Sequence, residues 1–159
     1  MTSRHPTGYP RPRVSNETGA CPLGPSLDTV GAVEERRHWL VDGLNVIGSR
    51  PDGWWRDRVT AKARLVAALD GWAQVTGAAL TVVLDGHYVA HDPPSAIQVR
   101  FAPGGPDAAD DAIVRWLEEH PGRTACVVTS DAGLSARVRA LGADVEPAGR
   151  FRARFEPRG

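Results

Sequence analysis

The chain has 159 residues, and its 19 Lys+Arg are balanced by 19 Asp+Glu. That length makes one domain the default and supports a core without disulfide or metal staples. Zero net charge excludes a strongly basic nucleic-acid-binding coat, so any site for a polyanion is a local patch.

No apolar run approaches the roughly 20 residues of a membrane span. The opening "MTSRHPTGYPRPR" lacks the apolar segment of a secretory signal. A cytoplasmic location is therefore expected. Cys21 and Cys126 have no CxxC partner, which argues against a zinc site.

Residues 1–36 are rich in Pro, Gly, Ser and Thr without a sustained period, and they are read as a disordered N-terminal tail preceding a domain over 37–159. A first strand is expected over 38–42, "HWLVD", followed by a glycine-bearing edge and the loop "GSRPDGWWRD". A helix is expected over 57–76, with Asp57 as N-cap, Val59, Ala63, Val66, Ala67 and Ala73 at helical spacing, and Gly77 as its stop. The continuous apolar run "AALTVVLD" suits a parallel strand covered on both faces. After the loop "GHYVAHDPPS", residues 96–102 alternate as a short strand, and a helix is expected over 108–120. A second buried strand is expected over 124–131. A helix carrying Leu134, Val138 and Leu141 and a last short strand, "ADVEPA", follow it. The tail "RFRARFEPRG" is basic and aromatic; its arginines extend a polyanion surface or sit on an edge strand. Strands alternating with helices give an α/β class, a three-layer α/β/α sandwich with a mostly parallel sheet.

Three strands end on aspartate: Asp42, Asp85 and Asp131. In an open parallel sheet the C-terminal strand ends share one edge, where ligands bind. Asp110 precedes Ile113, Val114 and Leu117 by three, four and seven residues, so it shares their face and looks toward the sheet. Asp111 is turned by about 100° and acts in support or as N-terminal acid on the helix dipole. Crowded carboxylates stay ionised only beside a cation. All-oxygen ligands without His or Cys point to Mg²⁺ or Mn²⁺, held by Asp42, Asp85, Asp110, Asp111 and Asp131. Asn45 adds a neutral oxygen or amide without adding charge. Each residue also has a structural alternative. Asp42-Gly43 and Asp85-Gly86 are turn pairs, and Asp131 is a good N-cap in "TSDAGL".

Trp54 and Trp55, interleaved with Arg50, Arg56 and Arg58, can stack bases and hold phosphates. Alternatively, one tryptophan packs against the helix start. His87, Tyr88 and His91 follow Asp85 in a polar loop, either exposed or in contact with substrate.

The blocks "LVDGLNVIGSRPDGWW", "VVLDG", "ADDAIV" and "VVTSDAGLSARVRALGA", in this order and spacing, resemble the NYN domain, YacP-like branch, of the PIN-like nuclease superfamily. The resemblance runs from about Trp39 to the end, roughly three-quarters of the chain. It implies a PIN-like fold and a metal-dependent endoribonuclease that hydrolyses RNA phosphodiesters. It further implies Mg²⁺ or Mn²⁺ as cofactor, translating or structured RNA as substrate, and a ribosome or other RNA-processing partner. By position, the family's first acidic residue falls on Asp42 and its asparagine on Asn45. Its helix-opening aspartates fall on Asp110 and Asp111, its late aspartate on Asp131, and the aspartate ending its second strand on Asp85.

The resulting expectation is catalysis by Asp42, Asn45, Asp110 and Asp131, with RNA held by Arg50, Trp54, Trp55 and Arg56. The alternative is a non-catalytic RNA-binding module with the same fold, and a third reading uses the acidic edge to hold a basic protein. A phospho-aspartate hydrolase is disfavoured because Leu44 stands where that mechanism wants a second aspartate.

Overall fold

A computed structural model of the chain describes residues 37–86 and 92–156. The expected tail over 1–36 and the loop residues His87, Tyr88 and His91 lie outside the described residues. Five strands, β1 (His38–Asp42), β2 (Ala79–Asp85), β3 (Gln98–Ala102), β4 (Ala125–Val128) and β5 (Asp144–Glu146), form one sheet in the order β3-β2-β1-β4-β5. Every pairing is parallel, with Asp42 opposite Val83 and Val41 opposite Val128.

The parallel sheet follows from strands covered on both sides. Val41, Val82, Leu84, Cys126 and Val128 face one core, and Leu40, Val83, Val127 and Val145 face the other. Helices α1 (Gly43–Gly48), α2 (Arg58–Thr76) and α5 (Ala148–Arg152) cover the first face; α3 (Ala108–Glu119) and α4 (Ala132–Ala140) cover the second. The architecture is thus the expected three layers, with the sheet parallel throughout.

The elements differ from expectation in four places. The six-residue helix α1 follows β1 directly, where its two glycines and the β-branched pair Val46-Ile47 read as a loop. In α2 the buried face is Lys62, Leu65, Val66, Leu69 and Ala73, while Val59 is 58% exposed; alanines spread around the helix blur its apolar stripe. β4 stops at Val128 because Thr129, Ser130 and Asp131 turn into the cap of α4. The basic tail forms α5, not an edge strand. Phe151 is wholly buried, and the Arg152 guanidinium donates to the carbonyls of Val46 (3.2 Å) and Ile47 (3.1 Å). Those carbonyls lie in the last turn of α1, so α5 ties down that end of α1 from outside.

Candidate functional site

The C-terminal ends of β1 and β2 and the β4–α4 turn open on a cleft of about 840 Å³. Asp42, Asn45, Asp85, Asp107, Asp110 and Asp131 line it, with the backbone of Gly104–Pro106 forming one wall. This is the edge predicted for an open parallel sheet.

Asp42 is the most deeply set of these carboxylates, at 6% exposure. Gly43 explains how the chain reaches that position. A Cβ on Gly43 would meet Leu84 Cδ2 at 2.5 Å and the Val83 carbonyl oxygen at 2.9 Å, so only glycine lets α1 begin flush against β2. Gly43 is absent from the residues with positive φ. The Asp-Gly pair is therefore a close-packed strand-to-helix junction and not a turn. Thr129 Oγ1 donates to Asp42 Oδ2 at 3.1 Å. Burial pushes the Asp42 carboxyl up to about 6, and the charges of Asp110 and Asp131 add to the rise. The Thr129 hydroxyl and the Asn45 backbone N–H oppose it.

Asp110 sits in the first turn of α3 and faces the cleft, as its spacing predicts. Its carboxyl is also raised, first by burial and then by Asp131 and Asp107, with Arg137 acting in the other direction. Asp131 combines two roles. Its Oδ1 accepts from Leu134 N–H at 2.7 Å as the N-cap of α4, and it lines the cleft. Asn45 Oδ1 accepts from Ser130 N–H at 2.7 Å, tying α1 to the β4–α4 turn.

Asp85 lines the cleft but is charge-paired. Lys62 Nζ lies 2.8 Å from Oδ1 and donates to the Asp85 carbonyl at 2.5 Å, and Arg58 lies 3.1 Å from Oδ2. Lys62, the only lysine in the chain, is itself 6% exposed. Asp111 does not reach the cleft; it turns outward to Arg137 at 2.8 Å. The 100° offset from Asp110 accounts for this.

Among the expected RNA contacts, Arg50 is drawn inward. It donates to the Glu156 carbonyl at 2.6 Å and lies 3.3 Å from the Glu156 carboxylate, so its charge is met inside the fold. Trp54 is half-buried against the first core, with the Arg58 guanidinium 5.7 Å from its ring. Trp55 remains 54% exposed, edge-on to Trp54, and Arg56 is exposed. In the C-terminal segment, Arg154 pairs with the buried Glu146 at 2.8 Å, so neither it nor Arg152 is a free surface cation.

The sequence reading missed Asp107, Lys62 and Thr129. Asp107 carried a signal: it lies three residues before Asp110, on the same helical face, and as N-cap of α3 it makes no side-chain capping bond. Lys62 and Thr129 carried none, because their roles depend on strand register.

These positions match a known family. A model of the YacP-like NYN domain matches residues 39–157. The chain belongs to the YacP-like NYN domain family. Two crystal structures of Rae1 (YacP) from Bacillus subtilis, one of them a point mutant, share its fold. The mutant has a TM-score of 0.61 at 24% identity, with 74% of each chain covered. The other has a TM-score of 0.60 at 24% identity, covering 73% of this chain and 72% of that one. No curated protein matches. The NYN domain here thus has the nuclease-like fold of its family.

The donor chemistry of the cleft suits a hard divalent cation: oxygen donors, chiefly carboxylates, with Asp42 and Asp110 raised by burial and by neighbouring aspartates. The aspartates line the cleft without converging. Among the described residues no group of three or more His, Cys, Asp or Glu is gathered so as to hold an ion. This spread fits Mg²⁺ better than a closed protein cage. Mg²⁺ keeps several waters and takes one or two carboxylates, with substrate phosphates completing its shell.

Proposed function

We propose that this NYN domain is a metal-dependent endoribonuclease that hydrolyses RNA phosphodiester bonds in the acidic cleft. The observation that supports it most is Asp42. A carboxylate buried at a strand end, with its pKa lifted toward neutrality by burial and by Asp110 and Asp131, costs the fold stability. A bound cation would offset that cost. Asp42 and Asp110 would hold Mg²⁺ or Mn²⁺, with Asp131 in support. Asp85 and Asp111, both paired to cations of the chain, fall to minor roles.

When bound, such an ion lowers the pKa of its water and stabilises charge on the phosphoryl oxygens. The chain's own residues set the geometry. Thr129 fixes one Asp42 oxygen, and Asn45 holds the Ser130 amide so that the β4–α4 turn keeps Asp131 on the cleft. Arg58 at the rim offers a cation near an incoming phosphate. Trp55 offers a ring face for a base, and Arg56 a second phosphate contact. A ribosome or other RNA-processing partner would add affinity that the neutral domain lacks.

The test is cleavage of labelled single-stranded and hairpin RNA with Mn²⁺, with Mg²⁺ and with chelator, beside Asp42→Asn. Metal-dependent cutting that disappears in the variant supports the proposal; full activity in Asp42→Asn overturns it. The absence of a preformed three-carboxylate cluster among the described residues favours one alternative, an RNA-binding module without catalysis. That reading predicts RNA binding that is indifferent to chelator.

A further inference from the structure

The opposite end of the sheet, where the strands begin, carries a second cavity of about 380 Å³. It is within the range of small-ligand sites, roughly 300–1,000 Å³. His38, Gln98, Arg100, Trp116, His120 and Arg123 line it. None of these residues belongs to the acidic cleft, and none is used by the proposed reaction.

Three features define this cavity, and the first points to an anion. The first is its charge. Arg123 has no carboxylate partner among the described residues, and Arg100 has only a loose one, Glu119 at 3.8 Å with both side chains half-exposed. The second is a rigid aromatic stack. His38 lies on Trp116 with ring centroids 4.5 Å apart, and Trp116 lies on His120 at 4.1 Å, which fixes both imidazoles. His120 Nδ1–H donates to the Trp116 carbonyl at 2.7 Å, which leaves Nε2 for a ligand.

The third feature is an unmet polar atom. His38 is 7% exposed, and its Nδ1 is buried without any partner. Thr81 Oγ1 donates to Gln98 at 3.4 Å, which makes His38 Nε2–H the donor to Thr81 at 2.8 Å. Nδ1 is then a bare acceptor. Burial, with Arg123, His120 and Arg100 nearby, holds the His38 ring down to about 4, so it is neutral at working pH. A buried lone pair without a partner costs stability.

We propose that this cavity binds a phosphate monoester or inorganic phosphate, with Arg100 and Arg123 on two of its oxygens and His120 Nε2 hydrogen-bonded to a third. A monoester offers three terminal oxygens and between about one and two negative charges near pH 6; a phosphodiester offers two such oxygens and one charge. The site therefore prefers a terminal phosphate to an internal one. It stands independently of the nuclease reading.

The test titrates the full chain at pH 6 with inorganic phosphate, adenosine 5′-monophosphate and a dinucleotide monophosphate whose only phosphate is a diester. Side-chain ¹H–¹⁵N spectra follow His38 and His120. Saturable shifts of both histidines with phosphate and the monophosphate, and weaker ones with the diester, are expected. Arg123→Gln and Arg100→Gln, both surface changes, should each weaken binding about tenfold or more, the loss of one charge-assisted bond. Asp42→Asn should bind as the parent does. The proposal is overturned if His120 is unmoved at millimolar phosphate, if the diester binds equally well, or if Asp42→Asn abolishes binding, which would place the ligand in the acidic cleft.

Discussion

Replacing Asp42 by Asn should stabilise the protein while destroying its proposed activity. The Asp42 carboxyl titrates at an ordinary 3.8 when unfolded and at about 6 when folded, because burial and the neighbouring Asp110 and Asp131 disfavour its charge. A raised folded pKa means that stability is fully present below about pH 4 and is lost as pH rises through about 6. The difference between these two values corresponds to about 3 kcal/mol. Asparagine keeps an oxygen to accept from Thr129 Oγ1 and never ionises. Urea unfolding at pH 4 and pH 8, without divalent ions, should show the variant equal to the parent at pH 4 and more stable by about 2–3 kcal/mol at pH 8. Added Mg²⁺ or Mn²⁺ should narrow the gap by stabilising the parent alone. A variant less stable than the parent at pH 8, or a difference that does not change with pH, would refute the argument.

Other substitutions examine separate links. Gly43→Ala should cost about 1–3 kcal/mol in thermal or urea unfolding, since its methyl would collide with Leu84 and the Val83 carbonyl. Asp111→Asn should change RNA cleavage by less than about twofold and stability by less than about 0.5 kcal/mol, because its carboxylate pairs at the surface with the exposed Arg137. Asp107→Asn, by contrast, should lower the apparent metal affinity in a cleavage titration, and it would also relieve part of the rise on Asp110. Trp55→Ala should weaken single-stranded RNA binding by about 1–3 kcal/mol in a fluorescence titration, with the melting temperature unchanged.

Much of the layer structure was legible because parallel strands buried on both faces leave continuous apolar runs, as in "TVVLD" and "ACVV". The shared edge followed from strand ends alone, and the choice of Asp110 over Asp111 followed from helical geometry. What could not be read was pairing at a distance. The ion pairs that occupy Asp85 and Arg50 come from residues 23 and 106 positions away, and no local pattern encodes them. The short helices α1 and α5 were hidden for a related reason. Each is held by the other, through Arg152 and the carbonyls of Val46 and Ile47, and not by its own propensity.

Lys62 has a practical consequence. Because it is the sole lysine and its amine is wedged between α2 and Asp85, amine-acylating reagents meet one side-chain target, shielded in the closed fold. Modification at that position requires α2 to lift from the end of β2. Its rate is a single-site clock for breathing of the cleft wall, readable by mass spectrometry without engineered labels, and ligands that settle in the cleft should slow it.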